Sequence, residues 1–332
     1  MTNRLTGQPR GSFLLAAILG VAGCAGAGSP ALSSGGPAPG FVHLGSPVAS
    51  YVGGHAPLVR RSFQATYPTN KTLVFESDNT DVAVNIFQLS QMPKNLGDIA
   101  SINVQAGCPY GLAMDKEDTL YVADNCGGND VEEYPKGSTK ESVAITDGIS
   151  NPLGLAIDSK QTLYVSGYPG TITKYAHGTR TPSQTISGQG LEDPFGLALD
   201  KANNLYVADF GALAVFEIKY GSSTVTNLGL QDVEEPLGVA VDHKTGYLWV
   251  TDGKGDKIDV FKPGETSPFE QIGGAGDPYA ITVDNKGKHN GTVAVGDVTS
   301  KAVYGYKRGQ YTSYFTQTTG IALPTGLLVT KP

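Results

Sequence analysis

Pro109-Tyr-Gly-Leu-Ala-Met-Asp115 is the first of five copies of one phrase. The others are Pro152-Leu-Gly-Leu-Ala-Ile-Asp158, Pro194-Phe-Gly-Leu-Ala-Leu-Asp200, Pro236-Leu-Gly-Val-Ala-Val-Asp242 and Pro278-Tyr-Ala-Ile-Thr-Val-Asp284. They start 43, 42, 42 and 42 residues apart. A fixed period of this length marks stacked supersecondary units. A second phrase follows each copy: Leu120-Tyr-Val-Ala-Asp124, Leu163-Tyr-Val-Ser-Gly167, Leu205-Tyr-Val-Ala-Asp209, Leu248-Trp-Val-Thr-Asp252 and Val293-Ala-Val-Gly-Asp297. A third run follows in turn, such as Val131-Glu-Glu-Tyr134 and Ile258-Asp-Val-Phe261. A weaker fourth closes the unit, as in Ser142-Val-Ala-Ile145, Ser223-Thr-Val-Thr226 and Tyr311-Thr-Ser-Tyr-Phe315. These runs are short, rich in β-branched and aromatic residues, and bounded by Gly, Pro, Asp and Asn. That is strand-and-turn chemistry, and no apolar stripe of helical period competes with it. Four antiparallel strands per unit describe a propeller blade.

The chain ends set the number of blades. Leu73-Val-Phe-Glu-Ser77 matches the second phrase and Val82-Ala-Val-Asn-Ile-Phe87 the third, but no good first phrase precedes them. It stands instead at the other end, as Pro324-Thr-Gly-Leu-Leu-Val-Thr330. Five whole units and one split unit give an all-β, six-bladed β-propeller of four-stranded antiparallel blades. The C-terminal strand completes the first blade and removes a sheet edge that would otherwise invite aggregation. The entry proline fixes φ where no ladder donor is needed. The following glycine allows close approach near the axis. The aspartate ending the first phrase is expected to cap the next turn.

These phrases resemble the NHL-repeat family of β-propellers over roughly residues 72–330. The resemblance implies the fold and leaves the function open, since one such scaffold carries enzymes, sensors and adaptors.

The N-terminus reads as a processing signal followed by a linker. Arg4 and Arg10 precede the apolar run Phe13–Leu19, and then comes Val21-Ala-Gly-Cys24. The run is too short to anchor as a membrane span. Small residues before a cysteine resemble a bacterial lipobox, which implies lipidation at Cys24; the alternative is an ordinary secretory signal. Acyl chains would contribute about 0.8 kcal/mol per buried CH₂. Residues 1–23 are thus a lipoprotein signal peptide, residues 24–60 a Gly/Ala/Ser/Pro-rich tether, and residues 61–332 the propeller. This predicts an exported protein anchored through lipid to the bacterial cell envelope, at the outer membrane or cell surface. Of three cysteines, Cys108 and Cys126 remain. They sit at the start of one strand and the end of its antiparallel neighbour, hence at one blade edge, where an oxidising compartment permits a disulfide.

Net charge is −7 among 332 residues, with no basic block, which argues against nucleic acid. The rim of the axis is predicted to carry Tyr110, Leu153, Phe195, Leu237, Tyr279 and Thr325, one per blade. Glu192, Asp193, Glu234, Glu235 and Asp277 share that face, with Asp130 and Asp256 nearby. Aromatic anchors in an acidic surround suit a peptide, protein or glycan partner, or a cationic group; a packed plug closing the axis fits the same residues. No metalloprotease, nucleophile-elbow or phosphate-loop motif occurs. His43, His55, His177, His243 and His289 do not cluster as a zinc site would require. No cofactor is expected, although Asp252, Asp256 and Asp259 are spaced closely enough to consider Ca²⁺.

Two readings follow. One is a lipid-anchored, non-enzymatic binding or scaffold protein acting through one propeller face. The other is a metal-dependent lactonase or hydrolase, which resemblance to six-bladed gluconolactonase-type propellers would imply. That reading needs a Glu, Asn and Asp set at the channel, for which Glu76 and Asn125 are the residue types in hand.

Overall fold

The computed structural model describes residues 66–104, 107–126, 128–285 and 291–330. They form six four-stranded antiparallel sheets. Apart from the 3-10 turn Leu89–Lys94, the described elements are strands. No helix among the described residues is long and apolar enough to cross a membrane.

The inner strands are Pro109–Met114, Pro152–Ile157, Pro194–Leu199, Pro236–Val241, Pro278–Val283 and Pro324–Val329. Each begins at its phrase proline. In blades two to six the four strands follow in chain order. Blade one takes its inner strand from the C-terminus: Pro324–Val329 pairs with Leu73–Asp78, with Val74 opposite Val329 and Glu76 opposite Leu327. The ring closes as the split repeat requires.

Two register details differ from the sequence reading. In blade one it is Asp78, and not Ser77, that stands opposite the entry proline, as Asp124 does in blade two. The strand is one residue longer than the Leu-Tyr-Val-Ala-Asp phrase, so matching by apolar pattern stopped short, and Glu76 is the counterpart of Val122. In blade six the outer strand is Phe315–Gln317. The residues before it return the chain, with the Tyr314 amide already donating to the Gly305 carbonyl.

Both aspartates of the repeat are structural. Those ending the first phrase cap the turn to the second strand. Asp158 Oδ1 accepts from the Lys160 and Thr162 amides, and Asp200 Oδ1 from those of Ala202 and Asn204. Those ending the second phrase reach the loop that enters their own blade. Asp209 accepts from the amides of Glu192 and Asp193, Asp252 from Glu234 and Glu235, and Asp78 from Ala322 and Leu323. Buried carboxylates here replace water for loop donors that would otherwise be orphaned. Cys108 and Cys126 are bonded, with Cα atoms 5.1 Å apart.

The core consists of the layers between blades, and each seam has its own apolar cluster. Around the axis the inner strands nearly touch. A Cβ on Gly196 would stand 2.6 Å from the Leu237 carbonyl oxygen, and one on Gly238 2.7 Å from that of Tyr279. Only glycine admits the neighbouring backbone at that distance.

Candidate functional site

Each inner strand is the end strand of its sheet, so one backbone edge of each faces the axis. Together they wall a cavity of about 640 Å³. At one end lie Leu153, Phe195, Leu237, Tyr279 and Thr325; at the other lie the inner-turn residues, among them Asp115, Lys116, Gln161, Asn203 and His243. The side chains between are chiefly Leu, Ile, Val and Ala.

The predicted rim residues form one layer, and the aromatic ones meet. Phe195 packs edge-to-face on Tyr110 at 5.7 Å and on Tyr279 at 5.1 Å between ring centroids. These rings come from blades two, four and six. Leu153, Leu237 and Thr325, from the intervening blades, are buried beside them. Burial raises both phenols; Tyr279 acts against that rise on Tyr110, while Tyr110 adds to it on Tyr279. Edge-to-face pairs of this kind contribute about 0.5–1.5 kcal/mol beyond the area they bury.

A second set of residues, not singled out from sequence, positions this layer. Ser77 Oγ donates to the Tyr110 carbonyl at 2.7 Å, Ser166 Oγ to that of Phe195 at 3.1 Å, and Thr251 Oγ1 to that of Tyr279 at 3.0 Å. The donors lie in blades one, three and five, each holding the aromatic residue of the next blade. Ala123, Ala208 and Gly296 occupy the same strand position in blades two, four and six. The six-bladed ring therefore has a threefold alternation at its axis. The alternation of hydroxyl with small residue was present in the second phrases, but its meaning depends on which backbone lies across the seam.

Around this layer stand the acidic loops. Glu192 and Glu234 are exposed, and Asp193, Glu235 and Asp277 are half-buried. Burial, then Asp297 and Glu235, push Asp277 up to about 6. Burial, then Asp252, raise Glu235. Lys254 already pairs with Glu234 at 2.8 Å and acts against the rise on Glu235. Asp277 has no such cation among its influences, and its burial beside like charge makes that part of the face one that would gain from a cation.

Among the described residues, those considered for metal chemistry do not converge on one another. Glu76 is fully buried and accepts from Asn85 Nδ2 at 3.0 Å. Asn125, in another blade, donates to the Pro152 carbonyl. Between Asp252 and Asp259 sits the Lys257 ammonium, at 3.0 and 2.6 Å, so a cation already occupies that pair. His243 Nε2 lies 2.9 Å from the Leu199 carbonyl at the far end of the channel, and His177 lies 3.4 Å from Glu117. Two described groups bring three potential ligand atoms within 4.8 Å of one another: Asp115, Glu117 and His177, and Asp124, Asp130 and Glu132. Cys24, His43, His55 and His289 lie outside the described residues.

These observations define a six-bladed β-propeller with an aromatic layer across one end of its channel. No family model matches the chain, and no curated protein matches it. Solved structures do. A chain of a nidogen/laminin complex aligns with a TM-score of 0.63 at 16% identity, over 78% of this chain and 98% of that one. A streptogramin B lyase aligns with a TM-score of 0.50 at 13% identity, over 68% and 72%. Virginiamycin B lyase from Staphylococcus aureus gives 0.49 at 13% identity, over 68% and 70%. At these identities the likeness is one of fold.

Proposed function

We propose that this protein is a non-enzymatic binding head of the cell envelope, with NHL-type repeats and a lipid anchor at Cys24. Its partner is a protein or peptide carrying a basic segment, met by the face over the aromatic layer. The observation that carries this reading is the set of five carboxylates, Glu192, Asp193, Glu234, Glu235 and Asp277, around rings already packed on one another. Rings held edge-to-face and tied by Ser77, Ser166 and Thr251 give a stiff floor, which lowers the ordering cost of binding. The acidic loops supply steering and selectivity for positive charge. The nidogen/laminin neighbour belongs to a protein–protein complex, an assembly of the kind proposed here. The Cys108–Cys126 bond suits an exported protein. Residues 1–23 then act as the export signal and 24–60 as the tether that holds the propeller off the membrane.

Titrating the full chain with lysine-rich and glutamate-rich peptides of equal length tests this. Binding should favour the basic peptide, fall steeply between low and physiological salt, and drop about tenfold or more in Glu234→Lys with Glu235→Lys. Equal binding of both peptides would overturn the reading. Lactone turnover that needs added Ca²⁺ or Zn²⁺ would favour the hydrolase alternative instead.

A further inference from the structure

The seam where the ring closes is built differently from the other five. Val122, Val165, Val207, Val250 and Val295 occupy one second-strand position, facing the preceding blade. Across each seam their counterparts on the outer side of that blade are Ile102, Ile145, Ile186, Leu228 and Ile272. In every case the two belong to the same apolar cluster. At the closing seam both positions are polar: Glu76 replaces the valine, and Gln317 replaces the isoleucine or leucine.

Both side chains are fully buried. Glu76 Oε2 accepts from Asn85 Nδ2, and Gln317 Nε2 donates to the Thr319 carbonyl at 2.6 Å. Glu76 Oε1 and Gln317 Oε1 are each buried with no hydrogen-bond partner. Both are acceptors, and two orphaned acceptors are costly in a dry interior. A single proton satisfies both, because a protonated carboxyl donates.

We propose that the ring is latched at its closing seam by a hydrogen bond from the protonated carboxyl of Glu76 to Oε1 of Gln317, so that loss of this proton weakens closure. The groups acting on Glu76 favour the neutral form. Asp78 lies on its own strand, Asp81 in the following turn and Asp98 ahead of the next outer strand, and all are acidic. Asn85 from the third strand opposes them, and the outer strand of blade six carries Gln317 at the corresponding seam position. Burial is the largest influence, and it raises the carboxyl well above its ordinary 4.5. The sign follows from linkage. A carboxyl raised by folding contributes its stability in full below its unfolded value and loses it as pH rises through the folded one. The pair also marks this seam: a polar partner is matched only by its polar counterpart, which distinguishes correct closure from mispairing of near-identical blades.

Thermal unfolding of the full chain between pH 5 and pH 9 tests the latch, comparing wild type with Glu76→Gln and with the double variant Glu76→Val, Gln317→Ile. The amide in Glu76→Gln keeps a donor at every pH, and the double variant reproduces the other seams. The wild-type midpoint should fall below both variants by about 3 °C or more as pH rises, and the wild-type minus Glu76→Gln infrared difference spectrum should show the band of one protonated carboxylic acid, the carboxyls of Asp130, Glu132 and Asp277 being common to both. Parallel pH profiles for all three proteins would overturn the proposal. So would a wild-type midpoint that chelator lowers and Ca²⁺ restores, but only while Glu76 is present, since a cation would then hold the oxygens. Should Glu76→Gln fail to fold, the double variant and the wild-type infrared titration decide alone.

Discussion

The second and fifth blades use the same three positions to opposite effect. In blade five Asp252, Lys257 and Asp259 form a carboxylate–ammonium–carboxylate row, completed by Gln271 donating to Asp259 at 2.9 Å. Burial works against Asp252, yet the Glu234 amide and the Lys257 ammonium hold it below the ordinary range. In blade two the row is Asp124, Asp130 and Glu132, with a carboxyl where the ammonium stands. Burial, then Asp124, lift Asp130 to about 6. Burial lifts Glu132 to about 7 against the hydrogen bond from the Tyr134 phenol. What blade two has instead is covalent: the Cys108 and Cys126 amides both donate to Asp124 Oδ1, at 2.9 and 3.1 Å, and the two residues are joined by their sulfurs. The contrast teaches that the loop entering a blade must be pinned to the end of its second strand. An ion pair or a disulfide can brace that junction.

The comparison breaks most sharply at Lys257. Lys257→Met leaves two buried carboxylates facing each other, and should cost about 3 kcal/mol or more, discounted from a wholly buried pair because the lysine is partly solvated. Urea unfolding at pH 7.5 measures it, and a loss under 1 kcal/mol would show that the ammonium braces nothing. Replacing both Cys108 and Cys126 with serine should cost about 3 kcal/mol by the chain-entropy estimate for a loop of this size. Differential scanning calorimetry with and without reductant reads the same loss on the wild type.

Smaller effects sharpen the contrast. Glu132 is raised by folding, so the stability it contributes is present below about 4.5 and is lost as pH rises through about 7. Glu132→Gln should therefore match wild type at pH 4.5 and exceed it by about 1–2 kcal/mol at pH 8; a constant offset would contradict the assignment. Asp130→Lys transplants the blade-five arrangement into blade two, and should raise stability at pH 8 by about 1 kcal/mol. Combined with the serine pair, it should recover part of the loss from the missing disulfide.

Much of the architecture was legible because it rests on local, repeated chemistry. Five phrases starting at Pro109, Pro152, Pro194, Pro236 and Pro278 placed the inner strands, and the stray copy at Pro324 announced how the ring would close. The cysteine pair was readable because antiparallel neighbours share an edge. The first blade was matched one residue short at Ser77, since an apolar pattern does not count residues across a longer strand. That slip hid the position of Glu76, whose oddity appears only when it is set beside five valines.

The residues at the axis show where sequence stopped and tertiary structure decided. Repetition alone determined that Tyr110, Leu153, Phe195, Leu237, Tyr279 and Thr325 form a ring, because each has the same place in its repeat. Which of them touch, and that hydroxyls from Ser77, Ser166 and Thr251 tie down every second one, depended on distances across seams and across the axis. The same holds for the acidic side chains. Composition counts them alike, but Asp209 binds loop amides, Asp252 shares an ammonium, Glu132 sits beside like charge and Glu76 is wholly buried in the closing seam. A carboxyl's behaviour is set by its solvation and its neighbours, and those are properties of the folded ring.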